Sequence, residues 1–211
     1  MADKPHALER MIFFSDAVIA IMLTLLALEL PVPDVDDPTQ LWQPIAAHGS
    51  EYIAFLLSFS VIAATWTAHH MLFTNVVRSD PALLTLNLLS LFGYVLVPWA
   101  SKTLGESHGG AGVVVYAAAM TWLGGFTLLV VRHVGRAGLL DPAAPPAIIT
   151  GIRAWSAATT IMFAVSVPLA FVVGRWVIVA WPLVYLGLRL VAEIHIRTHR
   201  RDPRAEVADA R

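Results

Sequence analysis

Two groups of residues that include ionisable side chains lie inside apolar stretches of the chain, where such side chains are rare. The first group is Arg10 with Phe14, Ser15 and Asp16, at the head of the apolar stretch 17–30. An ionisable group inside a membrane span costs roughly 2.5–3.5 kcal/mol on insertion scales, and it persists mainly where it is paired or faces a polar interior. We therefore expect Asp16 to have partners on other helices.

The second group is Trp66, His69, His70 and Phe73, whose spacings of three, four and seven predict one shared helical face. Adjacent histidines in a membrane are also typical of haem ligation, metal binding or proton relays. Haem is disfavoured, because successive helical residues diverge by about 100° and the two histidines cannot both face one iron. A proton relay through Asp16 and a histidine remains open. Structural hydrogen bonding between helices is the favoured interpretation, since interhelical polar pairs commonly fix helix register.

The composition places the whole chain in a membrane. Of its 211 residues, 57% are hydrophobic and only 14% are charged, and the mean hydropathy is +0.69. This apolar content exceeds what a soluble core of that size can bury. The chain has no cysteine, which excludes disulfides, thiolate metal sites and cysteine nucleophiles. We interpret the N-terminal apolar run as a retained span, not a signal peptide, because Asp16 interrupts it and no small-residue cleavage site follows.

A window of about 20 residues predicts six membrane-spanning helices. Their expected limits are 9–30, 51–77, 81–104, 112–133, 148–173 and 176–196. We expect an all-α integral membrane protein with one six-helix domain over residues 1–197 and a charged tail over 198–211. Nearly all lysines and arginines fall on one side of this arrangement, with only Lys102 and Arg175 opposite, so the positive-inside rule places both termini in the cytoplasm.

Helix geometry brings the polar groups of the first three spans to a similar depth. Asp16 lies roughly 9 Å from the inner end of its span, and the paired histidines and Asn87 lie roughly 9–13 Å from the inner ends of theirs. This match predicts a buried polar layer joining the three spans. In that layer Asp16 is expected to accept hydrogen bonds from a histidine, Asn87 or Ser15, while Trp66 donates its indole N–H.

The first span also carries an apolar stripe that points away from this layer. Ile21, Leu25 and Leu28 fall within an arc of about 60°, with Thr24 at its border, and Asp16 lies about 140° from Ile21 around the helix. By itself such a stripe is typical of a lipid-facing or packing surface.

Two further sets of charged residues lie near the expected outer ends of the spans. Asp34, Asp36 and Asp37 make the first outer loop acidic, which would raise the local cation concentration at an outer mouth. An acidic outer loop is also expected wherever basic residues are retained inside. Lys102 and Glu106, four residues apart, are expected to pair at the surface and to contribute little.

Together these residues resemble the transmembrane protein 175 family of potassium channels. The resemblance consists of an R-x-x-x-F-S-D motif beginning at Arg10, a W-x-x-H-H-x-x-F motif beginning at Trp66, the N-L-L segment at Asn87, and Pro98. It covers the first three spans. The last three spans match the family only in number and hydrophobicity.

The resemblance implies a potassium-permeable cation channel without a T-V-G-Y-G carbonyl filter, a sequence that is absent here. Prokaryotic members carry a single six-helix unit and assemble as homotetramers in which the first helix lines the pore. By position, the apolar constriction falls on Ile21, Leu25 and Leu28, with Thr24 as the polar position. The other motif residues are implied to pack the pore helix: Arg10, Phe14, Ser15, Asp16, Trp66, His69, His70 and Asn87.

The implied partners are potassium ions that transit the pore, further copies of this chain and the lipid of a prokaryotic plasma membrane. No cofactor, tightly bound metal or nucleic acid is implied. The alternative is a secondary transporter that uses Asp16, His69 and His70 as a proton or substrate site, and it would show coupled, saturable flux. An enzyme is not expected, because the chain has no H-E-x-x-H, G-x-S-x-G or P-loop pattern.

Overall fold

The computed structural model describes residues 4–185 and residue 187, and this part of the chain is almost entirely helical. The long helices are α1 (Lys4–Leu28), α3 (Gly49–Phe73), α4 (Pro81–Glu106), α5 (Gly110–Arg136) and α6 (Pro146–Val173), with a short α2 (Trp42–Ala47) in the first outer loop. Single 3₁₀ turns lie at Pro38–Gln40 and Gly174–Trp176. Helical structure resumes over 177–185.

Five helical stretches in the described part are long and apolar enough to cross a membrane. One lies in each of α1, α3, α4 and α5, and the fifth runs over Pro146–Tyr185. The all-α class is thereby confirmed, and the first five expected spans differ from α1, α3, α4, α5 and α6 by at most five residues at each end, although the fifth apolar stretch continues into the expected sixth span. The expected sixth span is helical over 177–185. Apart from residue 187, which is also helical, the part of this span after residue 185 and the tail 198–211 lie outside the described residues.

Local sequence signals explain where two of the helices begin or end. Asp80 caps α4, since its carboxylate accepts a hydrogen bond from the Leu83 backbone N–H at 2.7 Å, and proline follows at the first helical position. At the end of α5, Gly138 adopts φ +63°, a left-handed conformation that glycine accepts without strain. The Leu139 N–H then donates to the Val134 carbonyl at 3.1 Å, which closes the helix in a Schellman motif.

Helix α4 lies at the centre of the fold and packs closely against α5. A Cβ added to Gly93 of α4 would lie 2.8 Å from the Leu123 Cα of α5, so only glycine fits this crossing. Between α5 and α6, a Cβ on Gly124 would lie 2.5 Å from the Thr160 hydroxyl oxygen. The two helices therefore pack closely at Gly124, whereas Gly125 has more room.

The α3–α4 and α5–α6 connections are joined to each other. Val76 and Leu140 form an isolated antiparallel bridge, flanked by hydrogen bonds from the Val77 N–H to the Leu139 carbonyl and from the Asp141 N–H to the Asn75 carbonyl. These contacts tie the α3–α4 connection to the α5–α6 connection.

The connection between α1 and α3 contains local structure that the sequence did not indicate. Besides α2, Asp37 caps the 3₁₀ turn, and the backbone N–H of Thr39 holds the pKa of the Asp37 carboxyl below its usual range. Tyr52 of α3 donates its hydroxyl to the Pro31 carbonyl at 2.9 Å, which fastens the chain just after α1.

Candidate functional site

Helix α1 has one packed face and one open face in the single chain. Ile19, Met22 and Leu26 are buried in the main apolar core. By contrast, Ile21 and Leu28 expose 53% and 79% of their surface, and Leu25 exposes 36%. The residues of the expected constriction therefore lie together on the face of α1 that no other described helix covers.

The open face of α1 extends from end to end of the helix. Thr24 is exposed, and its hydroxyl donates to the Ile21 carbonyl at 2.7 Å, so its oxygen lone pairs remain available on that face. Toward the inner end, Phe14 and Arg10 continue the same face and are also exposed. Within the described residues, Arg10 forms no hydrogen bond or ion pair with another side chain.

A buried chain of hydrogen bonds connects α1, α4 and α3. Ser15 donates its hydroxyl to the Met11 carbonyl at 2.8 Å, and the Asn87 amide nitrogen donates to the Ser15 Oγ at 2.8 Å. This fixes the amide orientation, so the Asn87 Oδ1 faces the His69 Nε2 at 3.1 Å. Because an amide oxygen only accepts, the His69 Nε2 must carry the hydrogen.

The environment of His69 fits a neutral imidazole. The residue is 5% exposed, and its ring lies 4.3 Å from that of Phe73. Its Nδ1 is buried without a hydrogen-bond partner in the described part of the chain. A charged ring would place an unpaired N–H in this apolar surrounding, which is costly. In this arrangement His69 links α3 to α4 through Asn87.

Asp16, the next residue along α1, lies outside this buried chain. The Trp66 indole N–H donates to the Asp16 Oδ1 at 3.0 Å, and the His70 ring stacks on Trp66 with centroids 5.5 Å apart. Trp66 is 38% exposed and His70 is exposed.

The structure confirms part of the expected polar layer and corrects the rest. Asp16 accepts the expected hydrogen bond from the Trp66 indole, but within the described residues it accepts none from a histidine, Asn87 or Ser15. The four residues of the α3 motif lie within one arc of the helix, but the edge of the packed surface divides them, because His69 and Phe73 are buried whereas Trp66 and His70 are exposed. The 100° step between successive residues separates the adjacent histidines. The single layer therefore divides into a buried chain and an exposed pair.

Several buried polar contacts were missed at the sequence level. Ser58 of α3 donates to the Ser101 Oγ of α4 at 2.9 Å and to the Tyr116 hydroxyl of α5 at 3.3 Å. Ser90 and Thr127 join α4 and α5 at 3.0 Å. The available signal was the presence of hydroxyl residues in the middle of spans at matching depth, which has little specificity, since such hydroxyls often bond only to their own helix.

Lys102, near the end of α4, pairs with a different carboxylate from the one expected. The Lys102 ammonium lies 2.9 Å from the Glu29 carboxylate at the end of α1. The expected Lys102–Glu106 pair is therefore wrong, because the side chain reaches across to α1 and not along its own helix. Lys102, Glu29, Glu51 and Glu106 line a cavity of about 330 Å³ between the outer ends of α1, α3 and α4.

The described residues contain no group of three or more histidine, aspartate or glutamate side chains arranged to hold a metal ion. Ser15, Asn87 and His69 bond to one another on the packed side of α1.

Comparisons with known proteins identify the family. The family model described as endosomal/lysosomal potassium channel TMEM175 matches residues 10–98. A protein of Streptomyces collinus described as a potassium channel is 39% identical over 169 residues, which cover 75% of this chain and 80% of that protein. A human protein described as the endosomal/lysosomal proton channel TMEM175 is 35% identical over 96 residues, 42% of this chain and 19% of that protein.

A solved structure agrees with this result. The crystal structure of a lysosomal potassium-selective channel TMEM175 homologue from Chamaesiphon minutus superposes with a TM-score of 0.65 at 26% identity, covering 93% of this chain and all of that one. The matching relatives are channels and not enzymes. With a relative 39% identical over four fifths of its length, and with the motifs of α1, α3 and α4 inside the matched region, this chain belongs to the TMEM175 family of channels.

Proposed function

We propose that this protein is a potassium-permeable cation channel in which four copies of the chain surround a central axis. The open face of α1 in each copy is turned toward that axis. The observation that carries the proposal is the division of α1, whose buried face packs on the core while Ile21, Leu25 and Leu28 are left uncovered. An uncovered apolar stripe can simply face lipid, and membership of a channel family is what favours a pore.

The constriction would work by dewetting. Rings of Ile21, Leu25 and Leu28 side chains expel water when narrow and block ions until the helices separate. Potassium, which sheds its water more readily than sodium, would pass more easily, although less selectively than through a carbonyl filter. Thr24 would offer its hydroxyl oxygen between the apolar rings.

The polar network is proposed to hold the pore helix from behind. The buried chain from Ser15 through Asn87 to His69 lies on the packed side of α1, opposite the proposed pore. It would fix the rotation of α1 and thereby the direction in which the apolar stripe points. Phe14 and Arg10 would line the inner mouth on the open face.

The proposed setting is a prokaryotic plasma membrane, with both termini in the cytoplasm. One channel domain would occupy residues 1–197, and the charged tail would follow at 198–211. Arg78, Arg132 and Arg136 lie at the end of the bundle that would face the cytoplasm, as the positive-inside rule requires. The acidic loop with Asp34 and Asp36 would concentrate cations at the outer mouth.

Potassium is preferred over protons as the transported ion because the bacterial relative that matches most of this chain is described as a potassium channel. The relatives described as proton channels match only about two fifths of the chain. The alternative, a secondary transporter, would need a shared site at Asp16, His69 and His70. Asp16 bonds to Trp66 whereas His69 bonds to Asn87, so the three side chains share no hydrogen bond in the described structure, which argues against it.

The direct test is to record purified protein in planar bilayers under opposed potassium and sodium gradients. Discrete unitary openings with a reversal potential toward the potassium equilibrium potential are the expected result. Smooth, saturable flux without unitary events would favour the transporter.

Substitutions then test the assignment of the constriction. Ile21→Asn and Leu28→Asn are expected to hydrate the apolar rings, raising conductance or lowering the preference for potassium. A matched control is Ile161→Asn, which changes an isoleucine exposed to a similar degree on α6. Unaltered currents in both α1 variants, or equal changes in the control, would contradict the pore assignment.

A further inference from the structure

The end of α1 that carries Leu28 is held by two polar contacts beyond its last helical residue. Glu29, directly after the last helical residue, pairs with Lys102 of α4 at 2.9 Å, and the Pro31 carbonyl accepts the Tyr52 hydroxyl of α3 at 2.9 Å. Farther inward, Ile19 and Leu26 hold α1 by apolar burial. Both outer contacts lie within three residues of Leu28.

Leu28 is the most exposed of the three stripe residues, and the turn that carries it has few other restraints. The backbone after it makes only short-range bonds, from the Glu29 N–H to the Leu26 carbonyl at 3.2 Å and from the Leu30 N–H to the Ala27 carbonyl at 3.3 Å. The two side-chain contacts that follow Leu28 therefore act together with the burial of Leu26 in setting its position.

We propose that Lys102 is a positioning residue for the outermost ring of the constriction. This inference rests on the proposed function, in which Leu28 faces the pore axis. Lys102 lies on α4, behind α1, so its attraction for Glu29 draws the outer end of α1 away from that axis. Without the pair, apolar association between the four Leu28 side chains would draw the helix ends together and narrow the pore.

The size of the effect follows from the exposure of the pair. The Lys102 and Glu29 side chains are 49% and 32% exposed, so the attraction is screened by solvent. Removing one such pair changes an equilibrium by at most about fivefold. Four copies acting on one pore would multiply the individual factors, so even a twofold change per copy gives a roughly sixteenfold change in the open-to-closed ratio.

The experiment measures open probability and unitary conductance in planar bilayers with symmetrical potassium. Lys102→Met and Glu29→Gln are both expected to lower open probability, and the double variant should lower it no further than either single one. Lys102→Arg should retain the wild-type value, and the exchange Glu29→Lys with Lys102→Glu should restore much of it. Elution as an intact assembly on size-exclusion chromatography checks that each variant folds.

The two single variants separate positioning from a simple electrostatic field. If Lys102 acted only by repelling cations, its removal would raise conductance while removal of the Glu29 charge would lower it, giving opposite signs. A positioning role requires both variants to lower open probability. Opposite signs, increased opening in both, or no change in either would each overturn the inference.

Leu28→Asn distinguishes this inference from the proposed function. If Leu28→Asn alters conductance while Lys102→Met and Glu29→Gln leave open probability unchanged, the pore assignment stands and the positioning role is wrong. If Leu28→Asn and Ile21→Asn also leave the currents unchanged, the proposed function itself is wrong.

Discussion

The two sides of α4 associate with their neighbours by different means. Toward α1 and α3, Asn87 bonds to Ser15 and His69. Toward α5, the dominant feature is the close approach of Gly93 to Leu123, with Ser90 and Thr127 alongside. One interface is specified by hydrogen bonds between side chains, and the other mainly by the shape of two backbones.

This difference has a physical basis. Lipid tails are as apolar as leucine, so membrane helices associate through close packing and hydrogen bonds and gain little from apolar burial alone. Backbone contact over glycine gives a fixed interface that tolerates no displacement. A chain of hydrogen bonds specifies the rotation of a helix with fewer close backbone contacts, which suits α1 if that helix moves during opening.

The largest expected effect comes from Gly93→Ala, which places a methyl group in the close-packed interface between α4 and α5. The added Cβ would lie 2.8 Å from the Leu123 Cα, and the two helices must separate to admit it. We expect a loss of about 1–3 kcal/mol in unfolding free energy, measured by denaturation in detergent. Gly135→Ala is the matched control, since a Cβ there meets nothing within 4 Å and should leave stability unchanged or slightly raised. Equal behaviour of the two variants would show that backbone contact does not determine this interface.

The next effect comes from Asn87→Ala on the hydrogen-bonded side. The substitution leaves the His69 Nε2–H unpaired and removes the donor to Ser15, while all three residues are buried. We expect a loss of about 1–2 kcal/mol in the same assay. Leu88→Ala changes the neighbouring half-exposed residue and should cost less. A loss at Leu88 as large as that at Asn87 would contradict a specific role for the hydrogen bonds.

The sequence predicted the depth of these polar residues in the membrane, because depth follows directly from counting residues along a helix. Counting residues from the inner ends of the spans placed Asp16, Asn87 and the histidines at one level. It could not divide them into a buried chain and an exposed pair, because that requires the rotation of each helix and the crossing of its neighbours. The Lys102–Glu29 pair was missed for the same reason, since sequence spacing favours partners on one helix over partners on two.

A smaller effect with a defined pH dependence is expected at the inner end, where Asp80 of α4 meets His133 of α5 at 2.9 Å. The Leu83 backbone N–H, followed by His133, holds the pKa of the Asp80 carboxyl below its ordinary value of 3.8. Because the folded pKa is depressed, the stabilisation is fully present above the unfolded value and is lost as the pH falls through the folded one.

Asp80→Ala is therefore expected to cost about 1 kcal/mol at neutral pH, through loss of the helix cap. Thermal unfolding at several pH values should show the difference from the unsubstituted protein shrinking below about pH 4. Asp80→Asn keeps the cap and loses only the charge, so it should cost less. A stability difference that grew on acidification would contradict a lowered pKa for the Asp80 carboxyl.

The smallest effect is expected at the exposed pair, which adjoins the buried chain along α1. Asp16→Asn keeps an oxygen that can accept from the Trp66 indole, and Trp66→Phe removes the donor from a residue that is already 38% exposed. Each variant should change unfolding free energy by less than about 0.5 kcal/mol, with little coupling between them in a double-mutant cycle. A loss at Asp16 as large as that at Asn87 would contradict this expectation, because in the single chain Asp16 is only half-buried and Trp66 is exposed. Such a loss would mean that a second copy buries this face on assembly, and the distinction between the two polar groups would then hold only for the isolated chain.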